Sequence, residues 1–158
     1  MRHAKSSWKH DNLSDHDRPL NKRGMGDAPR MGRLLREKRL FPEVIMSSTA
    51  LRAKTTAEKI ASSIPFEGAV EFDSNLYLAD SDTIVDVARH AHVGAGPLLI
   101  IAHNPGLEGL IMQVTKRDEQ LPTAGIAHIR LPIDRWHAFR VSTCGDLVDL
   151  WYPKVIAE

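Results

Sequence analysis

The chain has 158 residues and 17.6 kDa, 42% hydrophobic and 26% charged, which suits one globular domain spanning residues 1–158 and excludes a disordered or low-complexity chain. The net charge of +1 hides an asymmetry: residues 1–40 hold eleven Lys and Arg against five Asp and Glu, either a solvated helix face or a positive field around an anionic substrate. A single cysteine, Cys144, excludes an intrachain disulfide and a cysteine zinc cluster, and it points to a reducing, cytoplasmic setting.

No apolar run reaches the roughly 18 residues of a membrane span. No aromatic residues interleave with the basic ones, so nucleic acid is disfavoured as a partner. The chain opens Met1-Arg2-His3-Ala4-Lys5-Ser6-Ser7-Trp8. The guanidinium offers a planar fork of donors for phosphate oxygens, and a neutral imidazole offers a nitrogen nucleophile. From Ala4 to Arg23 the pattern is polar and aperiodic, a long loop of the length that in compact domains is functional or disordered, which takes in His10 and His16.

Asn21 is placed to cap a helix from Lys22 to Arg39 with Met31, Leu34 and Leu35 inward; Pro29 marks a late start or a kink. Val44-Ile45-Met46 reads as a short buried strand running into Ser47-Ser48-Thr49, and Ala53, Ala57, Ile60 and Ala61 predict a helix over 50–63. Val70-Glu71-Phe72 reads as a strand, 75–81 as a loop, and 82–92 as an amphipathic helix with Ile84, Val85, Val87 and Ala88 inward. After a turn at Gly94-Ala95-Gly96-Pro97, the run Leu98 to Ala102 is apolar throughout and is predicted to be a strand covered on both faces. His103-Asn104-Pro105-Gly106 follows, with Asn104 as cap and Pro105 at the first position of a helix to Val114. The stretches 126–131 and 138–151 predict two closing strands or a hairpin, with a turn at Cys144-Gly145-Asp146. This alternation predicts a three-layer α/β sandwich around a largely parallel sheet.

In such sheets, ligands sit beyond the carboxyl ends of the strands. Arg2-His3, Ser47-Ser48-Thr49 leading to Arg52, and His103-Asn104 all fall at such ends, and a helix beginning near Pro105 would aim its free amides at the same point. The segments RHAKSSW (2–8), DRPLNKRG (17–24), SSTALRAKTTAEKI (47–60) and AHNPGLEGL (102–110) together resemble the histidine phosphatase superfamily, and within it the small SixA-like phosphohistidine phosphatases. The resemblance implies a phosphoglycerate mutase-like fold and a phosphatase that needs no metal or cofactor. It implies that His3 takes the phosphoryl group, that Arg2 and Arg52 bind its oxygens, and that His103 is the second pocket histidine, with Arg18 as a further phosphate contact. On this reading His3 must be neutral to attack, while His103 is suited to carrying the charge that neutralises the oxyanion. The expected partner is a phosphohistidine-bearing protein. The alternatives are a small phosphate ester at the same site or a catalytically silent phosphate-binding module.

A phosphoramidate has a good leaving nitrogen once protonated, so a strong general acid is dispensable. Asp80 and Asp82 are the candidates if one exists. Ser6, Ser7 and Ser48 are placed to touch phosphate or to cap turns, and Trp8, Trp136 and Trp151 are assigned to packing. A cysteine-based phosphatase would need an Arg six residues after Cys144, where Leu150 stands, and the Asp80-Ser81-Asp82 match to an aspartate-based one starts a helix instead. Arg2 follows Met1 directly, whereas the resemblance implies an apolar strand before the Arg-His pair. Ala4 stands where Gly is more usual. The expectation is a gap in the sheet beside His3, with the true start of the protein lying upstream.

Overall fold

The structure is a computed structural model and describes residues 1–9, 11–92, 94 and 96–156. His10 of the polar loop and Ala95 of the predicted turn lie outside the described residues. Strands β1 (Val44–Ser48), β2 (Val70–Asp73) and β3 (Leu98–Ile101) form a parallel sheet in the order β2-β1-β3, with Ile45 opposite both Val70 and Leu99. Period-two alternation sends neighbouring residues to opposite faces. Ile45, Leu99 and Ile101 enter a core with Met31 and Leu35 of α1 (Lys22–Glu37) and Ala53 and Ile60 of α2 (Leu51–Ala61). Met46 and Ile100 face Ile84 and Val87 of α3 (Ser81–Arg89) and Leu107 and Ile111 of α4 (Gly106–Thr115). The result is the expected three-layer α/β arrangement.

Side-chain caps set the starts of two helices. The Asn21 carboxamide oxygen accepts from the Gly24 amide at 2.9 Å, and the Asp80 carboxylate accepts from the Thr83 amide at 2.9 Å. Pro29 lies inside α1, between buried Ala28 and Met31, where tertiary packing outweighs the penalty of about 3 kcal/mol for an interior proline. Asn104 does not cap α4. Pro105 holds that place, and the Asn104 amide instead donates to Glu108 at 2.8 Å and to the Leu121 carbonyl at 3.0 Å.

Strands β4 (Ile126–Arg130) and β5 (Asp146–Trp151) pair antiparallel. The strand expected over 138–151 is therefore shorter. Residues 136–138 form a 3-10 turn whose Trp136 packs edge-on against Phe139, and the turn falls at 141–142 rather than at Cys144-Gly145-Asp146.

The gap expected beside His3 lies instead beside Met1, and His3 is held by main-chain hydrogen bonds on both sides rather than on a loose terminus. β3 and β4 do not pair, and an apolar cavity of about 400 Å³ lined by Met1, Leu99, Ile100, Ile126, Ala127 and Ile129 lies between them. It leaves Leu98 and Ile100 only partly buried, so β3 is less covered than its sequence suggests. Residues 1–3 join the two sheets at one end of this cavity. The Arg2 amide donates to Gly125 O and the Ala124 amide to His3 O, while the His3 amide donates to Ala102 O and the Ala102 amide to Met1 O. Arg2 thus makes an isolated parallel bridge to Ala102. Among the described residues, no helix is long and apolar enough to cross a membrane.

Candidate active site

Two of the predicted groups sit at the ends of elements: Arg52 lies in the first turn of α2 just beyond β1, and His103 follows β3. Arg2 and His3 lie in the seam itself, outside any named strand, and Arg18 lies in the loop before α1. The seam and the parallel pairing therefore bring together residues 49 and 100 positions apart. The His3 and His103 rings lie 5.0 Å apart between centroids, and the Arg52 Nε–H points at His3 Nε2 at 3.3 Å. His3, Arg52 and His103 are all buried.

The tautomer of His3 follows from its neighbour. Nδ1 lies 2.8 Å from the carbonyl oxygen of Ala4, an acceptor only, so Nδ1 carries the proton and Nε2 carries the lone pair. Ala4 is itself fixed, its amide donating to the Thr56 hydroxyl at 3.0 Å and its methyl fully buried, which shows why a side chain is accommodated there. His103 Nε2 meets the Ser48 hydroxyl at 2.7 Å, and its Nδ1 is buried with no hydrogen-bond partner. Arg2 anchors one end of its guanidinium on Leu121 O at 3.1 Å, and its Nε is buried without a partner. A buried donor without a partner costs free energy that an anion would recover.

Burial, together with the guanidinium groups nearby, pushes His3 down to about 4. Burial, then His3 and Arg52, pushes His103 down to about 3. Both imidazoles are neutral at pH 7 in this pocket, so His103 does not hold the positive charge that its sequence context suggests. Two cationic neighbours and desolvation outweigh the distant Asp15 carboxylate.

The unfolded chain takes up protons near pH 6.5 that the folded one refuses until much lower pH. The contribution of these two imidazoles to stability is therefore full above pH 6.5 and is lost as pH drops from 6.5 towards 4. The loss is on the order of 1 kcal/mol per pH unit for each imidazole. Urea unfolding at pH 7 and pH 5 should show it; equal midpoints would contradict neutral, buried histidines.

Arg18 is differently placed from Arg2 and Arg52. Its Nε donates to Ser7 O at 3.0 Å, Nη1 to Asp15 at 2.8 Å and Nη2 to the Ser6 hydroxyl at 2.6 Å. Exposed Trp8 lies against its face at 3.2 Å, so this indole covers a cation rather than packing in a core. Of the other serines, Ser48 touches His103 and Ser7 accepts from the Lys9 amide. Asp80 is an exposed helix cap, held below the usual carboxylate range by the Thr83 hydrogen bonds, and Asp82 lies in the first turn of α3.

Asp15 and Tyr77 lie at the site outside the family segments, and Glu108 lies within one without a role read from it. Asp15 receives Arg52 Nη2 at 3.0 Å, Arg18 Nη1 and the Tyr77 hydroxyl at 2.6 Å. Tyr77 stands edge-on to His103, with centroids 5.6 Å apart. Glu108 accepts from Asn104 and from the Leu121 amide at 2.7 Å, fixing the loop whose carbonyl holds Arg2. Among the described residues, no cluster of three or more His, Cys, Asp or Glu is placed to hold a metal ion.

A family model, "Histidine phosphatase superfamily (branch 1)", matches residues 1–77, which include Arg2, His3, Arg18 and Arg52. An uncharacterised protein of Mycobacterium tuberculosis is 31% identical, covering 83% of this chain and 87% of its own. In fold, the chain is similar to a candidate phosphohistidine phosphatase SixA from Agrobacterium tumefaciens, with TM-score 0.81 at 24% identity over 97% of this chain and 95% of that one. It is also similar to the protein histidine phosphatase SixA complexed with tungstate, with TM-score 0.77 at 22% identity over 98% and 95% of the two chains. The sequence match and the phosphoglycerate mutase-like fold agree: the chain belongs to the histidine phosphatase superfamily and is a phosphatase.

Proposed function

We propose that the chain, as one catalytic unit, hydrolyses phosphohistidine on a protein through a phosphorylated His3. The His3 Nε2 lone pair attacks phosphorus, the P–N bond to the substrate imidazole breaks, and that imidazole leaves with the bonding pair after taking a proton from solvent. Water then attacks the phosphorus on His3, releasing inorganic phosphate and returning the lone pair to Nε2. Arg2 and Arg52 bind the non-bridging oxygens, the Arg52 Nε–H passing from the His3 Nε2 lone pair to an oxygen so that the lone pair is free to attack, and His103 donates a hydrogen bond to them. Phosphoryl transfer needs chiefly this positioning and charge stabilisation. An arriving phosphoryl dianion also favours protonation of His103, opposing the desolvation that keeps it neutral.

The observation that carries the choice of a phosphoramidate is the state of the carboxylates. Asp15 is held far below the usual range by the Tyr77 hydroxyl and the Arg18 and Arg52 guanidiniums, and Asp80 is an ionised cap. Neither stores a proton for an alkoxide leaving group, whereas an imidazole leaving group accepts one from water. The SixA fold similarity is consistent with this reading.

The test compares release of phosphate from a phosphohistidine-bearing protein with release from sugar phosphates. Turnover should be faster on the phosphohistidine protein, and faster turnover of the esters would reverse the assignment. Brief exposure to a labelled phosphodonor should leave acid-labile label on His3. A folded protein with neither label nor turnover would be a phosphate-binding module instead.

A further inference from the structure

The segment that precedes α1 is hydrogen-bonded to the body of the protein at two places. Its base is closed by the Ser7 amide donating to Pro19 O at 2.8 Å and the Asn21 amide donating to Lys5 O at 2.9 Å. Its far end is clipped to the start of α2, where the Leu51 amide donates to His16 O at 2.9 Å and His16 Nε2 meets the Thr49 hydroxyl at 2.9 Å. This clip places Asp15 against the outer end of Arg52. Nη1 donates to the Asp15 carbonyl at 2.5 Å and Nη2 to the Asp15 carboxylate at 3.0 Å. With both Nη groups held from outside, it is Nε–H that meets His3 Nε2.

We infer that Asp15 is a positioning residue for the phosphoryl-transfer step, fixing the Arg52 guanidinium with its Nε–H aimed at the place where His3 Nε2 meets the phosphoryl group. The same carboxylate receives Arg18 and Tyr77, so one anion ties the loop, the guanidinium and the ring edge-on to His103 into one frame. A guanidinium free to turn on its long stem would spread its N–H groups over several directions. An ionised carboxylate bridging two arginines removes that freedom.

Two other roles for Asp15 have different signatures. As a proton donor it would need to be neutral, which three donors converging on one carboxylate disfavour. As an autoinhibitory stand-in for phosphate, its removal would raise activity. A positioning anion predicts a split instead. Removing its negative charge takes repulsion away from the pocket, so anion binding holds or tightens while the chemical step slows.

The inference rests on His3 being the nucleophile. The experiment therefore begins with wild-type labelling on His3, whose absence would overturn that reading and this inference with it, whereas a failure confined to the Asp15 variants falls on this inference alone. With labelling established, Asp15→Ala and Asp15→Asn are compared by single-turnover label transfer and by the dissociation constant for inorganic phosphate. Asp15→Ala should slow transfer by about 10–100-fold, with phosphate binding unchanged or tighter. Asp15→Asn, which keeps one acceptor oxygen, should recover part of the rate. Tyr77→Phe should lose less than Asp15→Ala, since the two guanidinium contacts remain. Equal or faster transfer in Asp15→Ala overturns the inference. So does a matched loss of phosphate affinity in both Asp15 variants, which marks a collapsed pocket. A basic limb of the pH–rate profile that vanishes in Asp15→Asn overturns it too, since it marks an acid.

Discussion

Replacing His3 by Ala is expected to lower kcat on a phosphohistidine protein by at least about 10⁴-fold, because the proposed covalent path is removed outright. The remaining pocket keeps Arg2, Arg52 and His103, so inorganic phosphate should still bind and compete with substrate. This separates a lost nucleophile from a lost fold. The variant should also take up no label. A second readout is independent of catalysis. His3 is buried, with its imidazole pushed down to about 4, so its removal takes away its share of the acid destabilisation. The fall in stability from pH 7 to pH 5 should shrink in His3→Ala. A variant retaining more than about one per cent of wild-type kcat would place the nucleophile elsewhere.

Arg52→Ala should cost about 10³-fold in kcat/KM, the scale of removing one preorganised charged donor from a developing oxyanion. The loss is large because Arg52 acts at three points. It directs Nε–H to His3, holds charge in a buried place, and anchors the loop through Asp15. Arg52→Lys should restore little. An ammonium has no planar fork and cannot span the Asp15 carbonyl, its carboxylate and the His3 side at once. Steady-state kinetics of both variants on one substrate decide the point. A loss below tenfold in Arg52→Ala, or near-full activity in Arg52→Lys, would show that charge alone suffices.

The scaffold was readable wherever a periodic pattern meets a cap. Asn21 before Met31, Leu34 and Leu35 announces α1, and the apolar run 98–102 announces β3. His3, Arg52 and His103 were readable because strand ends collect ligand groups and because their flanking residues form family segments. Asp15 and Tyr77 were not, since they lie 62 residues apart in aperiodic loops and acquire meaning only when the loop folds onto α2. Asp15 reads as one polar residue among several. Arg18 shows the opposite difficulty. Its segment identifies it as important, but three of its five N–H directions turn out to be spent on Ser6, Ser7 and Asp15. Asn104 misled for a similar reason. A good capping residue was diverted to Glu108 and Leu121 by the loop that secures Arg2.

The seam at residues 1–3 carries both the join between the two sheets and the proposed nucleophile. Four main-chain hydrogen bonds flank Arg2 and His3 there, beside an apolar cavity rather than a continuous ladder. Local opening at such a place costs less than unfolding the cores on either face. Opening would carry Nε2 away from Arg52 and His103 while α1 to α4 stay packed. The main-chain hydrogen bonds that join the two sheets are thus the same ones that hold His3 against Arg52 and His103.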